Sequence, residues 1–106
     1  MRDYEIMFIV RPDVDEEVLA ASREKVQAII AEHNGTVTEE QDMGKRRFAY
    51  TIVHKRGNEP VKYNEGYYTV YQFKANTDVV AELNRVLNMD DQILRHIVIN
   101  LDDEKK

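Results

Sequence analysis

The residue pattern predicts an α+β fold of β-α-β-β-α-β order, a four-stranded antiparallel sheet with two helices on one face, which is the ferredoxin-like plan. Three observations predict it. Segments 3–10, 46–53, 66–73 and 93–101 are rich in strand formers, and the first and third of them alternate clearly. Segments 13–33 and 77–88 carry apolar residues at helical spacing. The glycines Gly35, Gly44, Gly57 and Gly66 each stand at a junction between elements. Right-handed crossovers put both helices on one side of the sheet and the first and third strands in its middle.

In the first strand, Tyr4, Ile6, Phe8 and Val10 point one way and Asp3, Glu5, Met7 and Ile9 the other. Arg11-Pro12 ends it, because Pro lacks the ladder donor. Asp13 is expected to cap the first helix, with Glu16 at capping-box spacing. Val18, Leu19, Ser22, Val26, Ile29, Ile30 and His33 make its buried stripe, and Asn34-Gly35 stops it. Residues 36–43 read as a polar strand that a bulge at Gly44 joins to 46–53. Residues 54–65, with Gly57, Asn58 and Pro60, read as a loop. In the next strand Tyr67, Thr69, Tyr71 and Phe73 share one face, and Tyr68, Val70 and Gln72 the other. Asn76 or Thr77 is expected to cap the second helix, whose stripe is Val79, Val80, Leu83, Val86 and Leu87. The last strand covers 93–101, and the tail 102–106 is too polar to pack. The expected organisation is one domain, 1–101, followed by that tail.

Composition narrows the function. At 106 residues the chain has little length for a deep catalytic cavity. It has no cysteine, hence no disulfide, cysteine metal cluster or thiol nucleophile. No run is apolar and long enough for a membrane helix, and the N-terminus does not read as a signal peptide. His33, His54 and His96 stand at no metal-ligand spacing, Ser22 lies within a helix stripe, and no glycine-rich phosphate loop is present. The reading is of a non-enzymatic protein without cofactor, metal or small-molecule substrate.

The net charge of -5 opposes nucleic-acid binding as a total, but the charge is unevenly placed. Residues 44–56 hold Lys45, Arg46, Arg47, Lys55 and Arg56 and no acid. Screening limits an interaction to its local charges, so such a patch outweighs the total. Arg suits phosphate with its planar donor fork, and Tyr offers a flat face to an unstacked base. Arg2 and Tyr4 on the first strand, and Arg95 and His96 on the last, extend the candidate surface formed by Lys45, Arg46, Arg47 and Tyr50. Tyr50 can equally be core, since Tyr buries its ring and leaves its hydroxyl outside. Tyr68 and Val70 point away from the helices, where RNA-recognition modules carry stacking aromatics, but the glycine-aromatic motif of those modules is missing. An open apolar face without it also suits a protein partner.

Together these residues resemble a known family. Arg2-Asp3-Tyr4-Glu5 is similar to an R-x-Y-E start, and Gly44-Lys45-Arg46-Arg47-Phe48-Ala49-Tyr50-Thr51-Ile52 is similar to a G-x-R-x-L-A-Y-P-I segment. Gly66-Tyr67-Tyr68 and Asp91-Gln92-Ile93-Leu94-Arg95 extend the match over roughly residues 2–101. These resemble the bacterial small-subunit ribosomal protein six family. The resemblance implies a cytoplasmic, ribosomal, non-enzymatic protein. It implies binding to the central domain of small-subunit ribosomal RNA, jointly with small-subunit ribosomal protein eighteen as heterodimer partner. It implies RNA-facing roles for Arg2, Tyr4, Arg46, Arg47, Tyr50 and Arg95. Thr51 departs from the pattern, standing where the family has Pro. Two alternatives fit the same fold: a regulatory domain with a ligand site near Arg11, and a small acyl-phosphate hydrolase, which Arg11-Pro12-Asp13 disfavours by placing an acid where an anion would sit.

Overall fold

The computed structural model describes residues 1–56 and 59–104, and the side chains of all of these except Tyr50, Lys55, Arg56, Asp103 and Glu104. Its elements are β1 (Arg2–Val10), α1 (Glu16–Glu32), β2 (Thr36–Arg56), β3 (Glu59–Ala75), α2 (Val79–Asn88), β4 (Ile93–Asn100) and α3 (Leu101–Glu104). The sheet is four-stranded in the order β2-β3-β1-β4, with every neighbouring pair antiparallel. The expected fold class therefore holds, with β1 and β3 central.

The alternation in β1 decides the layering. Tyr4, Ile6, Phe8 and Val10 are buried with Tyr71 and Phe73 of β3, with Val26, Ile29 and Ile30 of α1, and with Val79, Leu83 and Leu87 of α2. Both helices thus cover one face. Ordered salt links brace this layer: Arg23 of α1 donates from Nε to Thr69 Oγ1 at 3.2 Å and reaches Asp42 at 2.9 Å, and Lys25 reaches Asp90 at 2.9 Å.

Helix ends follow local chemistry, with one shift from expectation. Asp15, not Asp13, caps α1: its carboxylate accepts from the Val18 amide at 2.9 Å. Asp13 instead faces Arg11 at 3.5 Å, so the chain leaves β1 through an extra turn before the helix begins. At the other end Asn34 takes a positive φ of 60°. The Gly35 amide donates to Ile30 O at 2.8 Å and the Asn34 amide to Ala31 O at 3.1 Å, the paired bonds of a Schellman stop. Asp78, rather than Asn76 or Thr77, precedes α2, and its side chain makes no cap bond. Its carboxylate lies 3.3 Å from His33, tying the end of α1 to the start of α2.

The largest departure is the hairpin. Segment 54–65 was expected to be a loop, yet β2 runs to Arg56 and β3 starts at Glu59, paired as Arg56↔Glu59, Lys55↔Pro60, His54↔Val61 and Ile52↔Tyr63. Polarity hid this strand, because β1 pairs with β3 only from Tyr67 onward, leaving the arm two-stranded and largely solvated. Pro60 fits there on a free edge. Gly57, at the expected turn, lies outside the described residues together with Asn58. Gly44 does carry the expected bulge: register shifts between Asp42 and Gly44, whose φ is 71°. A larger shift follows between Arg47 and Ile52, where Phe48–Thr51 stand opposite Asn64 alone.

The polar tail also differs from expectation. Leu101–Glu104 form a helical turn, and Asp102 accepts from the Asp3 amide at 3.2 Å, closing the start of β1.

Candidate nucleic-acid interface

The sheet face away from α1 and α2 is where the basic residues meet. Here β1 presents Glu5, Met7 and Ile9, β3 presents Tyr68, Val70 and Gln72, and β4 presents Arg95 and Ile97, by the pairs Met7↔Val70, Ile9↔Tyr68, Met7↔Ile97 and Ile9↔Arg95. The hairpin arm bends over one end of it. Ile52 and Tyr63 from the arm are buried against Ile9 and Leu94, with Phe48, Val61 and Tyr68 around them. His54 Nε2 and Asp91 O, 3.2 Å apart, join the arm to the turn before β4. This second cluster is separate from the helix-side core and holds the bulged segment against the sheet.

Beside the bulge, Arg47 lines a groove of about 380 Å³ that Arg95 lines as well. Phe48, Tyr68, Met7 and Ile97 line its apolar part. Phe48 and Tyr68 lie 5.8 Å apart between ring centres, tilted by 54°. Gly66 makes room for this: a side chain there would meet the Phe48 ring at 3.2 Å and the Val10 carbonyl at 2.9 Å. Toward the opposite end of the same face, a second concavity of about 370 Å³ is lined by Glu5, Glu39, Glu40 and Gln41. The open face is therefore divided in charge, basic beside the arm and acidic toward the start of β1.

The structure sorts the expected contact residues. Arg47 and Arg95 converge on the groove. Arg46, exposed beside them, donates from Nε to Met43 O at 2.9 Å, which braces the strand at its bulge. Lys45 points the other way, its ammonium 5.2 Å from the centre of the Tyr67 ring. Arg2 pairs with Ala75 at the far end of β1, away from the groove. Tyr4 is corrected: it is 3% exposed in the helix-side core and stacks on Phe73 at 5.5 Å, so its ring is closed to a base. The alternation along β1 places Tyr4 with Ile6 and Phe8, and that face is the buried one; the RNA-facing expectation follows the resemblance instead. His96 lines the groove edge but its Nε2 is 3.0 Å from Asn84 Oδ1 of α2. Burial lowers its pKa below the usual histidine value, so it is the neutral ring rather than a phosphate-seeking cation that stands there at neutral pH. The Tyr50 side chain lies outside the described residues. Phe48 was missed as a site residue; its even-numbered position among Tyr50 and Ile52 signalled core, and only the bulge reveals its place beside Tyr68.

The arrangement has the parts to hold an anion and a flat apolar group. Among the described residues, no three His, Asp or Glu side chains gather as a metal site would need. Arg11, which the regulatory-domain alternative assigns to a ligand, is turned to Asp13 and is only 14% exposed. No helix among the described residues is long and apolar enough to cross a membrane.

Comparison with known proteins agrees in extent. The family model described as ribosomal protein S6 matches residues 3–100. The small ribosomal subunit protein bS6 of Moorella thermoacetica is 38% identical over 104 residues, covering 98% of both chains. That of Lactobacillus helveticus is 43% identical over 100 residues, covering 93% of this chain and 94% of its own. A crystal structure of 30S ribosomal protein S6 from Thermotoga maritima superposes with a TM-score of 0.81 at 35% identity, covering 98% of this chain and 92% of that one.

Proposed function

The chain belongs to the ribosomal protein S6 family, a family of structural rather than enzymatic proteins, and from that membership we propose how it works as a component of the small ribosomal subunit in the bacterial cytoplasm. It binds small-subunit ribosomal RNA of the central domain, as a heterodimer with small-subunit ribosomal protein eighteen. It holds its RNA without chemistry. The folded part that does this is the single domain 1–101, and Asp102 beyond it closes the start of β1.

The observation that supports this reading is the convergence of Arg47 and Arg95 across the open face of a chain whose net charge is -5. Two guanidiniums from separate strands at one groove make a local anion-binding patch on a net-acidic chain. Arg46 adds a third guanidinium within the same stretch of β2. Lys45 and Arg2, on other surfaces, are proposed as outer phosphate contacts, and Tyr50 as a further contact from the bulged segment. Few phosphates are neutralised by so small a patch, so the isolated chain binds RNA weakly. A basic partner supplies the missing charge, and the acidic end of the open face favours its approach; the two bindings are then linked and cooperative.

Binding to a central-domain RNA fragment, with and without protein eighteen, over a salt series, tests this. Tight binding is expected only with the partner. Replacing Arg47 and Arg95 together by Ala is expected to flatten the salt slope by ~0.7–0.9 for each phosphate that is no longer neutralised. Equal affinity of the isolated chain and the pair would discard the cooperative account.

A further inference from the structure

We infer that the groove between Phe48 and Tyr68 is a seat for one unstacked nucleobase of a single-stranded RNA segment, with Arg47 and Arg95 holding the phosphates on either side. The inference rests on the RNA-binding reading above and adds to it the form of RNA taken and two residues that touch it. Four observations carry it. The lining joins aromatic rings to aliphatic side chains, and among the described residues its charged members are the two arginines. At about 380 Å³ it lies within the size range of small-ligand sites, above about 300 Å³. The two rings meet at a tilt rather than face to face, and both residues are half-buried, so neither is wholly enclosed by the protein. Acids line the other concavity of the same face, so a phosphate chain is repelled from it and is directed to the arm end.

The chemistry is that of sequence-tolerant recognition. Every base has a π face, and a base that leaves its stack gives up little if it regains one here. The apolar floor from Met7 and Ile97 excludes water from the ring, and Ile97, 51% exposed, is the most solvated part of that floor. Covering it adds a hydrophobic gain that a paired base, held inside a helix, cannot deliver. Duplex RNA shows mainly phosphate and 2′-hydroxyl groups to a protein, which match neither Phe48 nor Tyr68.

The test uses the full chain with a single-stranded RNA octamer and with a duplex of the same length, followed by proton and amide chemical shifts and by fluorescence anisotropy. The single strand is expected to move the Phe48 and Tyr68 ring signals, and the duplex to leave them in place. Phe48→Leu and Tyr68→Leu, which keep apolar bulk and lose the π face, are expected to weaken single-strand binding by ~5- to 100-fold. Tyr68→Phe restores most of it. Thermal melts verify that the variants fold; should a Leu variant not fold, the shift map of the unaltered chain decides. Equal shifts with duplex and single strand, or Leu variants that bind as the unaltered chain does, overturn the inference. So does loss of binding to protein eighteen in the absence of RNA with single-strand binding intact, which would make the groove a protein seat. If the pair still binds the ribosomal RNA fragment while these variants have no effect, the base seat falls and the proposed function stands.

Discussion

Gly35 has no side chain because two backbones pass where one would be. A Cβ there would lie 2.6 Å from Ile30 O and 2.7 Å from Lys74 O, and neither backbone can swing aside as a flexible side chain would. Gly35→Ala is therefore expected to cost about 1–3 kcal/mol in chemical denaturation, with the loss appearing in the midpoint and not in the slope. His96 gives a second measurable consequence at this scale. Burial lowers its pKa in the folded state, so the unfolded chain binds a proton at higher pH than the folded one. Its contribution is complete above the ordinary histidine value, near 6.5. It is lost as pH falls below that value, and the loss levels off once the folded state is protonated too. Replacing His96 by Gln, which can keep a bond to Asn84 but cannot titrate, is expected to flatten this part of the stability curve between about pH 7.5 and 5. Thermal melts of both proteins across that range read the difference. The same residue shows a limit of reading sites from sequence: His96 looked like a cation on an edge strand, and only its pairing with Phe8 places it toward Asn84.

Among the elements, β1, α1, α2 and the part of β3 from Gly66 onward were legible because each has one buried face and one period. Val26, Ile29 and Ile30 in α1, and Val79, Leu83 and Leu87 in α2, are buried as their spacing requires. The arm was not legible, because its core is a cluster of four buried residues drawn from separate strands, Ile9, Ile52, Tyr63 and Leu94, rather than a stripe within one segment. No local pattern announces such a cluster. The candidate site suffered for the same reason: Arg47 and Arg95 were named, but their meeting depends on a shift of register between Arg47 and Ile52 that composition cannot encode. Two core changes separate the layers. Leu83→Ala removes a fully buried side chain from the helix-side core and is expected to lower global stability by about 2–5 kcal/mol. Ile52→Ala empties the smaller cluster instead. Its expected signature is local: amides of the arm, 52–63, exchange faster with solvent, while those of β1 keep their protection. Uniform loss of protection over both would mean that arm and sheet open as one unit.

Across the whole molecule, charge and connectivity matter more than any single pairing of side chains. The net charge of -5 surrounds a local basic rim, and the two respond to salt differently. At about 10 mM salt the screening length reaches about 30 Å, so RNA feels the distant acids as well as the rim. On the proposed function, removing salt is therefore expected to tighten RNA binding of the isolated chain less steeply than that of the proposed heterodimer, which a logarithmic plot of affinity against salt measures. The strand order β2-β3-β1-β4 has a different kind of consequence. The long hairpin joins neighbours in the chain, whereas β1 closes onto β4 at the opposite end of it, Tyr4 meeting Asn100. Closing so large a loop is entropically costly and comes late in folding. The earliest residues to be synthesised thus wait for the last. Until Ile93–Asn100 has been made, β1 can pair with β3 on one side but has no strand on the other. A chain stalled before that point carries Arg47 without Arg95, so it has no assembled basic groove to compete with that of the finished sheet.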